Sequence, residues 1–173
     1  MASLGHIAIG MAAARFWPRD GRRRPYRAML GLSALSMLPD IDVVGMALGV
    51  PYGAPWGHRG ATHALAMAVV VGIAAATLTR ARRQPLGPRA ILACLVMASH
   101  GVLDAMTDGG KGVALLWPFT TRRFFFPWRP IPVAPIGMGF LSSEGLKVGL
   151  WELLVFLPLF VFALWPRRSQ ARV

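Results

Sequence analysis

Apolar residues in this chain come in long runs, broken by stretches rich in Arg, Pro and Gly, and five such runs stand out. The first, about Leu4 to Phe16, is short and rich in Ala and Gly. The second covers about Ala28 to Val50 and contains Pro39-Asp40-Ile41-Asp42. The third, about Thr62 to Thr79, is almost wholly Ala, Val, Leu, Ile and Met. The fourth runs from about Arg89 to Thr107 and the fifth from about Leu146 to Trp165. Crossing a hydrocarbon core takes about 20 apolar residues, so the last four runs qualify as membrane helices and the first is marginal. The predicted fold is therefore all-α: a polytopic helical membrane protein of about four to five membrane helices, with a long outer loop before the last helix.

Composition supports a bilayer as the solvent. Of 173 residues, 55% are hydrophobic and the mean hydropathy is +0.50, more apolar than a soluble domain of this size tolerates. Charge is lopsided, with Lys+Arg 19 against Asp+Glu 7. A basic balance often signals nucleic acid, but here the arginines sit between apolar runs, as cytoplasmic loops of membrane proteins require, so no nucleic-acid partner is expected. The single cysteine, Cys94, lies inside an apolar run and has no partner for a disulfide or a thiolate cluster. The apolar N-terminal run lacks a basic leader, so a cleaved signal peptide is not expected. No internal repeat or composition shift divides residues 1–173, and a single domain is the natural reading.

The arginines also orient the chain. Arg15, Arg19, Arg22, Arg23, Arg24 and Arg27 lie between the first two runs, Arg80, Arg82, Arg83 and Arg89 between the third and fourth, and Arg167, Arg168 and Arg172 after the fifth. Alternation puts all three groups on one side, which the positive-inside rule makes the cytoplasm. The N-terminus, the loop around Val50 to Ala61 and the stretch from Asp108 to Gly145 then face outward. That last connection is too long for a turn. Its Trp117-Pro118-Phe119, Arg122-Arg123-Phe124-Phe125-Phe126-Pro127-Trp128 and Pro130-Ile131-Pro132 predict an interfacial segment, either an aromatic anchor or a lid.

Ionisable residues inside apolar runs are expensive and are usually kept for function. His100 and Asp104 are four apart, which places both on one helical face. Asp108 extends that row only if the helix passes Gly109-Gly110, where it is expected to stop. His58 and His63 would diverge by about 140° on one continuous helix, so a break near Gly60 is expected, with His58 in the loop and His63 in the first turn. Asp40 and Asp42 would point to nearly opposite sides of a regular helix, so either one dominates or Pro39 distorts the backbone. His6 stands near the start of the first run. By the topology drawn from arginines alone, all these residues fall at similar depth in the outer half. Taken singly each has a structural explanation, such as polar glue between helices. Together, imidazoles and carboxylates are the usual donors for Zn²⁺ and are compatible with Mn²⁺ or Fe²⁺. The candidate metal ligands are His6, Asp40, Asp42, His58, His63, His100 and Asp104. More donors than one tetrahedral ion needs suggest two or more ions. Arg59 is either an anion clamp or a surface loop charge, and Arg122 and Arg123 fit snorkelling at the interface better than substrate binding. Glu152 is a candidate base or outer ligand, and Ser142-Ser143-Glu144 reads as a helix start.

These elements resemble the YdjM-like inner-membrane proteins. The resemblance is carried by His6, Pro39-Asp40-Ile41-Asp42, His58-Arg59-Gly60-Ala61-Thr62-His63 and His100-Gly-Val-Leu-Asp104, and covers most of the chain to about Asp108. The C-terminal third matches loosely, and the serine usual after the second histidine is Ala64 here. That family is described as LexA-regulated metal-dependent hydrolases, grouped distantly with zinc-dependent phospholipase C and P1-type nucleases. The resemblance implies attack of metal-bound water on a phosphate ester, with His58, His63, His100, Asp104 and Asp40 as ligands. The expected protein is a hydrolase of the bacterial inner membrane, acting from the non-cytoplasmic side on a lipid or phosphate ester, with Asp40, Arg59 and Glu152 as candidate catalytic groups. The alternative is a metal or proton transporter built on the same cluster, which would need polar groups continuing into the cytoplasmic half. A structural membrane protein without metal is the third.

Overall fold

The computed structural model describes residues 3–17, 25–79 and 85–166. Arg19, Arg22, Arg23, Arg24, Arg80, Arg82, Arg83, Arg167, Arg168 and Arg172, on which the orientation rests, lie outside the described residues. Six α-helices occur among them: α1 (Ser3–Ala13), α2 (Pro25–Met37), α3 (Asp42–Ala47), α4 (Leu65–Leu78), α5 (Leu86–Ala105) and α6 (Ser143–Leu164). A 3₁₀ turn at Leu38–Ile41 joins α2 to α3 without a loop, so the two form one helical rod, Tyr26–Ala47. The described residues hold no strand, only isolated backbone bridges, Thr107 to Ile131 and Val113 to Phe124, that fasten the long connection before α6. The all-α expectation is met.

Three helices are long and apolar enough to cross a membrane: Tyr26–Ala47, Leu86–Ala105 and Ser143–Leu164. The third apolar run is shorter as a helix than expected. Ala64 is extended (φ −73°, ψ 147°) and separates a 3₁₀ turn, Ala61–His63, from α4, which keeps 14 residues. That is about 21 Å of rise, short of a hydrocarbon core of about 30 Å. α1, with 11 residues, is shorter still. Both short helices end at the level of the polar residues rather than passing them.

Packing follows from small side chains. α1 pairs with α2 and α6, α4 with α5, and α5 touches α1 and α2. Gly10 lies on the backbone of Ser33, and Gly72 lies on that of Cys94, where a Cβ would come within 2.6 Å of its Cα. Apolar tails give little incentive for helix association, so close backbone approach supplies the contact. Ala14, Leu32, Leu35, Ala68, Ala76, Ala93, Val96 and Met97 form one buried cluster. Leu30, Val70, Ile91, Leu95 and Leu154 are exposed large apolar residues on the helices, a surface suited to lipid tails.

The helices alternate in direction. The start of α1, the α2–α3 junction, the 3₁₀ turn before α4, the end of α5 and the early turns of α6 therefore meet at one end. The rise from Leu86 to His100 is about 21 Å, and from Glu152 to Leu164 about 18 Å. The polar residues thus sit roughly two-thirds of the way across a 30 Å core, counted from the end that carries Arg15, Arg27 and Arg89. One glycine sets the approach there: a Cβ on Gly101 of α5 would run into the carbonyl oxygen of His63 and lie 3.0 Å from Leu115 Cδ2. Gly101→Ala is expected to cost about 1–3 kcal/mol by overpacking. Gly149→Ala, where nothing lies within 4 Å, is expected to be neutral or to stabilise α6 by about 0.5–1 kcal/mol. Thermal unfolding of the two variants in detergent checks the contrast.

Candidate metal centre

Each polar residue is delivered by a break or an end in the helical frame. The tight turn at Leu38–Ile41 compresses the spacing after Pro39, and both Asp40 and Asp42 reach the cluster, so the second of the two sequence alternatives holds. The expected break near Gly60 is real, but His63 falls in a 3₁₀ turn before α4 rather than in its first turn, because Ala64 is extended; at the break Arg59 takes a left-handed backbone (φ 61°), uncommon for a residue other than glycine. That turn aims His58 and the Arg59 amide at the same carboxylate. His63 closes the turn Ala61–His63, and His100 and Asp104 lie on the last turns of α5, which stops at Ala105. Asp108 is past the helix and accepts the Val133 amide at 2.7 Å instead of extending the row. None of the four histidines is more than 3% exposed.

The hydrogen bonds around the rings fix which nitrogens face inward. His100 Nδ1 is 2.7 Å from the carbonyl oxygen of Ser36, which only accepts, so Nδ1 carries a proton and, in the neutral ring, Nε2 carries the lone pair. His63 Nδ1 lies 3.2 Å from Asp42 Oδ2 and 3.0 Å from Thr62 Oγ1. The Thr62 hydroxyl itself donates to Asp42 Oδ2 at 2.7 Å, so His63 Nδ1 is a donor as well. The two Nε2 lone pairs then face each other across 3.0 Å. Asp40 Oδ1 lies 3.6 Å from His63 Nε2 and 3.4 Å from His100 Nε2. Asp104 Oδ2 is 3.5 Å from His63 Nε2 and 4.0 Å from His100 Nε2. Four such atoms from three segments, the Leu38–Ile41 turn, the Ala61–His63 turn and α5, thus surround one point. A tetrahedron of ligands about 2.0–2.1 Å from Zn²⁺ has edges of roughly 3.3–3.4 Å, within the spread of these separations. Asp40, His63, His100 and Asp104 are able to hold a metal ion, as are Asp42, His58 and His63.

Asp42 is already well occupied. Its Oδ1 accepts from His58 Nδ1 at 2.7 Å, and its Oδ2 from the Arg59 amide at 3.2 Å and from Thr62. It holds two imidazoles in one tautomer, as outer carboxylates do beside metal-bound histidine. His6 stacks on His100 with ring centroids 3.7 Å apart, and its Nε2 is 3.6 Å from the other oxygen of Asp104. Neither ring nitrogen of His6 has a hydrogen-bond partner. Arg59 spans the opposite side, with Nε 3.0 Å from Asp104 Oδ2 and Nη1 donating to Gly109 O at 2.9 Å.

Glu152 of α6 is buried, and its Oε2 accepts the Leu4 amide at 2.7 Å, capping α1 and fixing the height of His6. Arg123 departs from the snorkelling reading. Its guanidinium donates to the carbonyls of His58 at 3.0 Å, Tyr52 at 3.1 Å, Ala54 at 3.2 Å and Gly112 at 3.4 Å. It braces the loop that carries His58, because the guanidinium fork supplies donors to three carbonyls of that loop and ties them to Gly112. Tyr52 lies edge-on to His58, with Lys111 and Arg123 near its ring. Burial pushes its phenol above the ordinary range, with Arg59 opposing, so it remains an O–H donor near neutral pH. Ser142 caps α6 through the Gly145 amide, as expected. Thr62, Tyr52 and the Ser36 carbonyl were not singled out from sequence. Only the position of Thr62, between a break and His63, carried a signal.

A membrane-embedded helical bundle with a buried His/Asp cluster at one end is the class these features define. The chain belongs to the YdjM inner membrane protein family, whose profile matches residues 1–171. It is 40% identical over 149 residues to the Inner membrane protein YbcI of Escherichia coli (strain K12), covering 83% of this chain and 86% of that one. No solved structure shows significant similarity. It is accordingly an inner-membrane protein with several candidate spans.

Arg123→Ala is expected to raise amide hydrogen exchange across 52–62 and to cost about 1.5–3 kcal/mol, the scale of a charge-assisted hydrogen bond left unmade. Arg123→Lys does not rescue, because an ammonium cannot reproduce the fork. Exchange monitored by mass spectrometry decides it.

Proposed function

We propose that this chain is a membrane-bound, metal-dependent hydrolase that cleaves a phosphate ester of lipid type, with its site toward the non-cytoplasmic face. The observation that carries the reading is the convergence of His63 Nε2 and His100 Nε2, 3.0 Å apart and flanked by Asp40 and Asp104. Acceptors crowded this way repel unless a cation lies among them, and the donor set suits Zn²⁺, with Mn²⁺ or Fe²⁺ as alternatives. When bound, such an ion lowers the pKa of water and polarises a phosphoryl oxygen.

The protein's own groups supply the rest. Arg59 keeps its Nη2 buried without a hydrogen-bond partner, a donor available to an anionic oxygen beside the cluster. Asp40 has two buried carboxylate oxygens that accept no hydrogen bond, so one remains to take a proton from attacking water while the other faces the cluster. Asp104 links both halves, toward His63, His100 and Arg59 by one oxygen and toward His6 by the other. Asp42 and Glu152 act through the histidines they orient. Transport is disfavoured because the helices below the cluster pack through Leu35, Ala93, Val96 and Met97. Among the described residues no carboxylate or imidazole continues toward the basic end. The non-cytoplasmic placement rests on the arginine distribution.

Detergent-purified wild type is expected to carry stoichiometric divalent metal by plasma mass spectrometry, and His100→Ala and Asp104→Ala to lose it. Asp42→Asn retains the ion at saturation with about 10–100-fold weaker affinity. The loaded protein then releases phosphate or diacylglycerol from a phospholipid panel, whereas Arg59→Ala does not. A metal-free wild type overturns the reading.

A further inference from the structure

Between two fastened points the chain crosses over Arg59 with almost no side chains. On one side the Asp108 amide donates to Ile131 O at 2.9 Å, and Asp108 Oδ1 accepts the Val133 amide at 2.7 Å. On the other, Val113 and Phe124 exchange backbone hydrogen bonds of 2.9 Å. The span between them is Gly109-Gly110-Lys111-Gly112, with glycine at every position except Lys111. Gly110 and Gly112 take φ of 87° and 74°, a region that side chains disfavour. Among the described residues, no amide of this span donates to a backbone carbonyl, although the amides on either side of it do. Successive N–H groups left over in a turn of this kind form a concavity suited to an anion.

The floor under the span is cationic and incompletely paired. Gly110 is exposed whereas Arg59 is 1% exposed, so the guanidinium lies just beneath the outer surface. A Cβ on Gly110 would stand 2.8 Å from Arg59 Nη1 and 2.9 Å from the Tyr52 hydroxyl. Arg59 Nε lies 3.0 Å from Asp104 Oδ2 and Nη1 donates to Gly109 O, but the buried Nη2 has no hydrogen-bond partner. Tyr52 reaches from His58, which its ring meets edge-on, to Gly110 with its hydroxyl. The Lys111 amide faces the phenol oxygen, which leaves the hydroxyl proton to donate elsewhere. The Lys111 ammonium lies 5.6 Å from the Tyr52 ring centroid and closes the outer side. Donors therefore arrive from below, from the side and from the loop, with two fixed positive charges and no carboxylate among them except Asp104. A tetrahedral phosphoryl group offers an oxygen in each of these directions, which a flat carboxylate does not.

We infer that Tyr52, Arg59 and the Gly109–Gly112 loop form a phosphoryl-binding subsite beside the His/Asp cluster. Arg59 Nη2 and the Tyr52 hydroxyl hold oxygens from below, the loop amides hold them from the outer side, and Lys111 closes the charge. The inference rests on the hydrolase reading, for which it names the groups that receive the substrate's phosphate. Asp104 ties the subsite to the cluster, since one of its oxygens meets both Arg59 Nε and His63 Nε2. Gly110 and Lys111 are exposed, so the anion reaches the guanidinium from the outer surface. Its source is either a lipid headgroup or a free phosphate ester, which share this chemistry.

The test uses the full chain, purified in detergent with its metal, and inorganic phosphate as the probe in titration calorimetry. Wild type is expected to bind phosphate saturably. Tyr52→Phe removes one hydroxyl and weakens binding by at least about tenfold, while metal content and the thermal unfolding midpoint stay as in wild type. Lys111→Gln weakens it less and lowers its dependence on salt. Lys147→Gln, an exposed lysine paired with Glu144 on α6, leaves it unchanged. Gly110→Ala abolishes binding, and if that variant does not fold, Tyr52→Phe decides alone. Displacement of phosphate by a short-chain phosphatidylglycerol identifies the source as a lipid headgroup, and bound phosphate that this lipid does not displace identifies a free phosphate ester; either supports the subsite. Wild type that does not bind phosphate overturns the inference, as does equal affinity in wild type and Tyr52→Phe. Metal content separates the two readings: metal without phosphate binding sinks this inference only, and phosphate binding by a wild type that carries no metal sinks the hydrolase.

Discussion

Four carboxylates, Asp40, Asp42, Asp104 and Glu152, are withdrawn from water inside one helical bundle, with Arg59 the one guanidinium buried among them. Burying that imbalance is costly unless another cation balances it. The histidines do not relieve it as neutral rings, because the nitrogens of His63 and His100 that face the carboxylates carry lone pairs. Protons or a metal ion must sit among them, and the rest of the structure follows from keeping that place dry and well aimed.

The frame achieves this with interruptions. A bundle of uninterrupted spans would present one face per helix and could not bring donors from four segments to one point. Here α1 begins at the cluster, α4 starts just after it, and α5 ends just past it. The rod of α2 and α3 tightens at Pro39 so that Asp40 faces the Nε2 atoms of His63 and His100 while Asp42 meets the Nδ1 atoms of His58 and His63. Irregular backbone at membrane depth survives only where its polar groups are satisfied internally. Arg123 does that for the 52–58 loop, and Glu152 does it for the start of α1. Arg123 holds His58 by its backbone carbonyl, and Glu152 sets His6 through the Leu4 amide.

Much of this is legible in the sequence. Long apolar runs gave the helices, since membrane spans depend on composition more than on tertiary context. Alternating arginines put His6, Asp40, His63, His100 and Asp104 at one level, and they meet there. What was hidden depended on side-chain direction and long-range pairing. Whether Asp42 binds an ion or orients its ligands turns on where the Nδ1 atoms of His58 and His63 point, which no spacing encodes. Arg123 looked like an interfacial arginine because three of its four acceptors are carbonyls 65 to 71 residues away. The shortness of α4 was masked because Ala61 and Ala64 are as apolar as the helix they precede. The Glu152 cap joins residues 148 apart.

X-ray absorption at the metal edge of the zinc-loaded protein tests the centre most directly. The account predicts a low-coordinate shell of nitrogen and oxygen at about 2.0–2.2 Å with imidazole outer-shell scattering and no sulfur near 2.3 Å, and loss of imidazole scattering in His100→Ala. A six-coordinate shell of water oxygens without imidazole, unchanged in that variant, would contradict it.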